Sequence, residues 1–176
     1  MRFTPTEISG VVVVDVEPHG DERGHFARLH CPDEFTAAGH PFTPVQTSLS
    51  HNRLAGTLRG LHYQTALYAE TKLVRAVRGR IYDVAVDLRL DSPTYRRWTA
   101  AELSADNGRA LLIGEGMAHG FITLEDATDV LYQISPRFEP GHDRGARWND
   151  PAFAIDWPIT PKVISDRDAG YADYGA

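Results

Sequence analysis

The chain has 176 residues, 42% hydrophobic and 24% charged, which is enough apolar content for one packed domain over residues 1–176 and too much for a disordered chain. A formal net charge of -6 argues against a nucleic-acid surface built on bulk charge, and no stretch approaches the roughly 18 consecutive apolar residues of a membrane span. The start, Met1-Arg2-Phe3-Thr4-Pro5, lacks the apolar core of a signal peptide, and a single cysteine, Cys31, excludes an internal disulfide framework and a Cys-rich zinc site, so the sequence reads as a soluble, cytoplasmic protein.

In chain order, Val11 to Val16 is a first β-branched run, followed by the turn residues Pro18-His19-Gly20-Asp21. Pro32 to Ala38, with proline and acids in its first turn and Gly39 closing it, is the one predicted helix. After the turn at Leu54-Ala55-Gly56, a strand is predicted over Leu73 to Val77. The clearest strand is Ile81 to Leu88, where larger apolar residues alternate with Asp and Ala. Turns at Asp91-Ser92-Pro93 and Asp106-Asn107-Gly108 lead to strands at Ala110 to Ile113, Gly120 to Leu124 and Thr128 to Ile134. Many short strands at regular spacing mean an all-β sandwich or barrel of jelly-roll type, with one short N-terminal helix and a small C-terminal extension.

Five stretches could carry chemistry. Leu58-Arg59-Gly60-Leu61-His62-Tyr63-Gln64 offers His62 as a base that works near neutral pH, although a histidine in a strand also serves as a hydrogen-bonded structural residue. Arg59 and His62 stand at an odd separation, so they share a strand face only if Gly60 breaks the alternation. Gly114-Glu115-Gly116-Met117-Ala118-His119-Gly120 can turn His119 toward an interior, or be a turn with an incidental histidine. Its likeness to the second metal motif of cupins is not matched by a His-x-His pair, since the chain has His62-Tyr63-Gln64 there, so no catalytic metal is expected. Tyr132 lies in a predicted strand, Asp168 in an acidic segment near the end, and Arg23 in a glycine-flanked turn suited to a phosphate. Of 18 basic residues only two are lysines, Lys72 and Lys162.

Taken together and in this order, these stretches resemble the dTDP-4-dehydrorhamnose 3,5-epimerase family of nucleotide-sugar epimerases. The likeness runs from about Val12 to Asp168, and includes Lys72-Leu73-Val74-Arg75, Gly116-Met117-Ala118-His119-Gly120-Phe121, Trp148-Asn149-Asp150-Pro151 and Ile155-Asp156-Trp157-Pro158. It implies a cupin-like jelly-roll barrel, a homodimer, no metal and no cofactor, with a nucleotide-diphosphate 4-keto-6-deoxyhexose as substrate. By the same resemblance His62 is the base at C3 and C5, oriented by Asp168. Tyr132 donates a proton on the opposite face, Lys72 stabilises the enolate at the C4 oxygen, and His119 lines the cavity. Arg23 and Arg59 match the pyrophosphate ligands and Phe26 the aromatic that stacks on the base.

Three positions depart from the family pattern: Arg28 stands where a glutamate is usual, Gln46-Thr47-Ser48 replaces Gln-x-Asn, and Phe138 stands where a second tyrosine is common. An arginine has no acceptor for the N3–H of thymine, so Arg28 predicts a base other than thymine. Inversion at one centre, C3 or C5, and a CDP- or GDP-linked substrate are alternatives within the epimerase reading. A metal-dependent cupin oxygenase and a sugar-nucleotide-binding cupin without activity are the rivals outside it.

Overall fold

The structure, a computed structural model, describes residues 1–175. In chain order the elements are β1 (Arg2–Pro5), β2 (Val11–Asp15), β3 (His19–Asp21), β4 (Gly24–Phe26), α1 (Pro32–Ala37), β5 (Gln46–Asn52), β6 (Leu58–Gln64), β7 (Thr71–Arg78), β8 (Arg80–Asp87), β9 (Trp98–Ser104), β10 (Ala110–Ile113), β11 (Met117–Thr123), β12 (Thr128–Ser135), β13 (Asp143–Gly145) and α2 (Asp166–Ala169), with a 3-10 turn at Ala66–Tyr68. Two sheets carry the fold, ordered β1-β2-β10-β7-β12-β5 and β13-β6-β11-β8-β9, and β3-β4 forms a separate hairpin. All named strand pairs are antiparallel. The expected jelly roll is present, but among the described residues no strand pairing joins the two sheets into a closed barrel. They face each other instead, with interdigitating side chains between them.

Alternation explains which residues face inward. Val11, Val74, Leu111, Ile113 and Val130 from the six-stranded sheet meet Ile81, Ala85, Leu103, Met117 and Phe121 from the five-stranded sheet in one buried cluster. The alternate residues on the six-stranded sheet's outer face, Val12, Val14, Leu73 and Leu112, are covered by Phe35 of α1 and by Phe42. The outer face of the five-stranded sheet, with Leu61, Val84, Val86 and Ala118, is covered by Phe153, Trp157 and Tyr174 from the C-terminal extension. The central strands of both sheets are therefore buried on both faces, β10 and β11 at every position, while the edge strands β1 and β5 are largely exposed. Asp83 and Asp87 in β8 share the inner face with Ile81 and Ala85, so they are buried between the two sheets and not beneath the extension. α1 forms where proline fixes its first turn and Gly39, at φ +82, ends it. β11 begins three residues before the predicted Gly120, which places His119 inside a strand and not in a turn.

One irregularity matters most for the site. His119 pairs with His62 across β11 and β6, but Phe121 pairs with Arg59, so Gly60 and Leu61 together oppose Gly120. This bulge breaks the alternation and turns Arg59 and His62 to the same inner face. Only glycine fits at Gly60: its φ is +131, and a Cβ there would sit 2.6 Å from the Gly120 Cα. Gly60→Ala is therefore expected to lower unfolding free energy by about 2–4 kcal/mol, from backbone strain and overpacking together. Urea unfolding followed by circular dichroism checks this, and an unchanged midpoint would show that the bulge tolerates a side chain.

Candidate active site

Where the inner layer gives way to polar side chains, the two sheets enclose a cavity of about 280 Å³. Its walls come from opposite sheets. Arg59, His62, Tyr63 and Gln64 of β6 and His119 of β11 stand on the five-stranded side. Lys72 of β7, Tyr132 and Ile134 of β12 and Gln46 of β5 stand on the six-stranded side. Register fixes these positions: His62 is the direct partner of His119, and Lys72 the direct partner of Ile134. The rings of His119 and Tyr132 meet edge-on across the gap, with centroids 5.8 Å apart. Phe138 closes one rim, its N–H donating to Gln46 Oε1 at 3.3 Å.

His62 Nε2 lies 2.8 Å from Asp168 Oδ1, and the other oxygen of Asp168 accepts the Gly60 N–H at 3.1 Å. With Nε2–H donating to the carboxylate, the imidazole lone pair is on the opposite ring nitrogen, the arrangement a proton acceptor needs. Asp168 itself stays behind the histidine and does not line the cavity. Burial works to raise its pKa, but the hydrogen bond and charge of His62 and the Gly60 amide outweigh this and hold the carboxyl below the ordinary aspartate range. The C-terminal extension packs closely here because β13 presents Gly145 opposite His62; a Cβ at Gly145 would lie 2.1 Å from the Tyr171 ring. Tyr171 in turn stands edge-on to His62.

A second imidazole–carboxylate pair lies deeper. His119 Nε2 is 2.7 Å from Asp83 Oδ1, and both side chains are almost fully buried. Burial pushes the Asp83 carboxyl up, against the opposing pull of His119 and Lys72, and its Oδ2 has no hydrogen-bond partner. Burial also pushes the Tyr132 phenol well above its ordinary value, with the Asp83 charge adding to the effect and Arg59 opposing it. A phenol so placed holds its proton firmly in the resting site. Arg59 is aimed by Asn52, whose Oδ1 accepts from Nε at 2.8 Å.

Of the residues singled out from the sequence, the structure thus gathers Gln46, Arg59, His62, Lys72, His119, Tyr132 and Phe138 around one cavity, with Asp168 behind His62. Arg23, Phe26 and Arg28 are not part of it. Arg23 and Phe26 lie on the exposed β3–β4 hairpin, where Phe26 is 73% exposed and Arg23 pairs with Asp21. Arg28 pairs with Glu34 at the start of α1, at 2.6 Å, with its guanidinium largely exposed. Sequence reading missed Asp83, Glu70, Asp143, Arg144 and Arg167, of which the last four line the cavity. Asp83 carried the one usable signal, an aspartate inside the strongest strand pattern.

Fold and cavity together define a jelly-roll epimerase, an isomerase. The chain belongs to the dTDP-4-dehydrorhamnose 3,5-epimerase family, whose model matches residues 5–174. A dTDP-4-dehydrorhamnose 3,5-epimerase from Sinorhizobium fredii is 41% identical over 170 residues, covering 96% of this chain and 87% of the relative. The crystal structure of the Bacillus anthracis dTDP-4-dehydrorhamnose 3,5-epimerase, with TDP and pyrophosphate bound, superposes with a TM-score of 0.95 at 39% identity, covering 98% and 99% of the two chains. A Legionella pneumophila 3,5-epimerase solved with dTDP-4-keto-L-rhamnose gives a TM-score of 0.90 at 35% identity, covering 97% and 90%. Among the described residues no helix is long and apolar enough to cross a membrane.

The lowered Asp168 pKa fixes the sign of a pH effect. Its hydrogen bonds contribute stability that is present above the unfolded value, about 3.9, and is lost as pH falls through the depressed folded value. Asp168→Asn should cost about 1–3 kcal/mol near neutral pH, and the gap to the parent should narrow below about pH 4. Urea unfolding at a series of pH values tests this; a gap that stays constant into acid would show that Asp168 contributes nothing through its charge.

Proposed function

We propose that the cavity inverts C3 and C5 of a dTDP-linked 4-keto-6-deoxyhexose without a cofactor. The observation that carries this reading is the placement of the His62–Asp168 pair and Tyr132 on opposite walls, with Lys72 beside the tyrosine. The C4 ketone acidifies the hydrogens on C3 and C5. His62 removes one as a proton, and the electron pair passes into the C4 carbonyl as an enolate. Lys72 stabilises the enolate oxygen, and Tyr132 returns a proton from the other face of the ring, inverting that carbon. His119, held by Asp83, completes the polar wall. Thymidine is the expected nucleoside, because the similar Bacillus anthracis enzyme carries TDP and the similar Legionella pneumophila enzyme carries dTDP-4-keto-L-rhamnose.

The cavity, at about 280 Å³, falls just below the range of typical ligand sites, roughly 300–1,000 Å³, so it suits the hexose and leaves the nucleotide outside. Arg59 stands at its mouth for the diphosphate. We read Arg23 and Phe26 as nucleotide contacts supplied by a second copy: the β3–β4 hairpin is paired to neither sheet and carries an exposed aromatic and an exposed guanidinium. This makes the working form a homodimer, and we read it as cytoplasmic.

Incubation with a dTDP-linked 4-keto-6-deoxyhexose in deuterium oxide, followed by NMR, tests the chemistry at each carbon. His62→Ala should slow wash-in of deuterium at C3 and C5 by about 10³-fold while TDP still binds. Tyr132→Phe should leave wash-in largely intact and lower inverted product on the order of 10²-fold. Exchange at wild-type rate in His62→Ala would refute the base assignment, and equal loss of exchange and inversion in Tyr132→Phe would leave that residue a purely orienting role. Exchange confined to one carbon would mark a single-centre enzyme.

Sharing of the site between copies has its own test. His62→Ala and Arg23→Ala, each inactive or nearly so alone, should recover part of the activity when co-expressed, because one mixed site per dimer is then intact. Co-expressed material as slow as the separate variants would place the hairpin's contacts within one copy or outside the reaction.

A further inference from the structure

A buried carboxylate in the cavity wall has no part in the mechanism above. Glu70 lies just before β7 and two residues before Lys72, a spacing that puts both side chains on the inner face. The Glu70 side chain is 4% exposed and its Oε2 is 3.1 Å from Lys72 Nζ. Its other oxygen accepts from Gln64 Nε2 at 2.5 Å, and Gln64 Oε1 accepts the Glu139 N–H at 3.3 Å. Gln64 shares a strand face with His62, two residues earlier. A continuous chain of contacts therefore runs from the Phe138–Glu139 rim through Gln64 and Glu70 to the lysine.

A carboxylate beside an ammonium reduces the field that the ammonium exerts on a nearby enolate oxygen. What the pair supplies is direction. Lysine is a point charge on a flexible stem with three rotatable donors, and one fixed, buried acceptor settles where the other two N–H bonds point. We propose that Glu70 is a positioning residue that aims Lys72 into the sugar cavity, with Gln64 holding Glu70 to the rim. This rests on the epimerase reading given above.

The test compares kcat, KM, deuterium wash-in and TDP affinity for the parent, Glu70→Ala, Glu70→Gln, Lys72→Met and the double variant Glu70→Ala/Lys72→Met, with a dTDP-linked 4-keto-6-deoxyhexose as substrate. Glu70→Ala should lower kcat about 100-fold, the scale of a misaimed catalytic group, while KM and TDP affinity change by no more than about two-fold. Glu70→Gln should be faster than Glu70→Ala, since its amide oxygen still accepts from Nζ, but slower than the parent, since its NH2 then faces the Gln64 NH2 that donates to Glu70. In the Lys72→Met background, Glu70→Ala should cost nothing further. If Glu70→Ala does not fold, Glu70→Met preserves the volume without the acceptor and takes its place. Parental kcat in Glu70→Ala, a Glu70→Gln no faster than Glu70→Ala, or losses that multiply in the double variant would each overturn the proposal. A parent that shows no exchange overturns the epimerase reading itself, whereas an active parent, a slow Lys72→Met and a fast Glu70→Ala overturn only the role of Glu70.

Discussion

One carboxylate organises the region around the histidine. Asp168 accepts from His62 and from the Gly60 amide, two groups of the same bulge, and so fixes the ring and the backbone that presents it. It reaches that position because the chain end is laid along β6. Thr57 bridges Val163 in parallel, Leu58 N–H donates to the Val163 carbonyl at 2.8 Å, and Ser165 caps α2 by accepting the Asp168 amide. The bulge and the extension depend on each other: an unbulged β6 would turn Arg59 away from the face of His62, and an unanchored tail would leave the imidazole without its partner.

Burial of the central strands of both sheets sets the electrostatics of the interior. Asp83, His119, Glu70 and Gln64 lie between the two sheets, where the sheets themselves leave little room for water. In such surroundings a charge must find a partner or change protonation state, which is why the buried polar groups occur in pairs: Asp83 with His119, Glu70 with Lys72 and Gln64. The exposed ion pairs, such as Arg23 with Asp21, lie where water screens them and hold much less in place.

The strands legible from sequence were those whose ends coincide with turn residues. β10 has the predicted bounds, and β2, β7, β8 and β12 differ by a few residues at their ends. α1 was legible because proline and glycine mark both of its ends. The start of β11 was not, since Met117, Ala118 and Gly120 carry no strand preference and owe their conformation to pairing with β8. The cavity was legible where a reactive residue stood in a distinctive stretch, as with His62, Lys72 and His119. Local sequence marks Asp168 as a solvated acid, and only the long return of the chain buries it at 5% exposure. Asp83 was hidden for the same reason, since its partner His119 comes from another strand, whereas Glu70 stands two residues before Lys72 and within reach of a local reading.

Because the proposed proton acceptor and donor sit on different sheets, the layer between the sheets acts as a spacer that sets the gap across which a sugar ring is held. Phe121 touches both ring-bearing walls, with its centroid 6.5 Å from those of His119 and of Tyr132. The apolar interior is therefore a gauge as well as a source of stability. Drift in the size of a core residue such as Phe121 or Val130 changes the separation of the two reactive faces without altering any reactive group. In a fold of this kind, stereochemical outcome can evolve through residues that never meet the substrate.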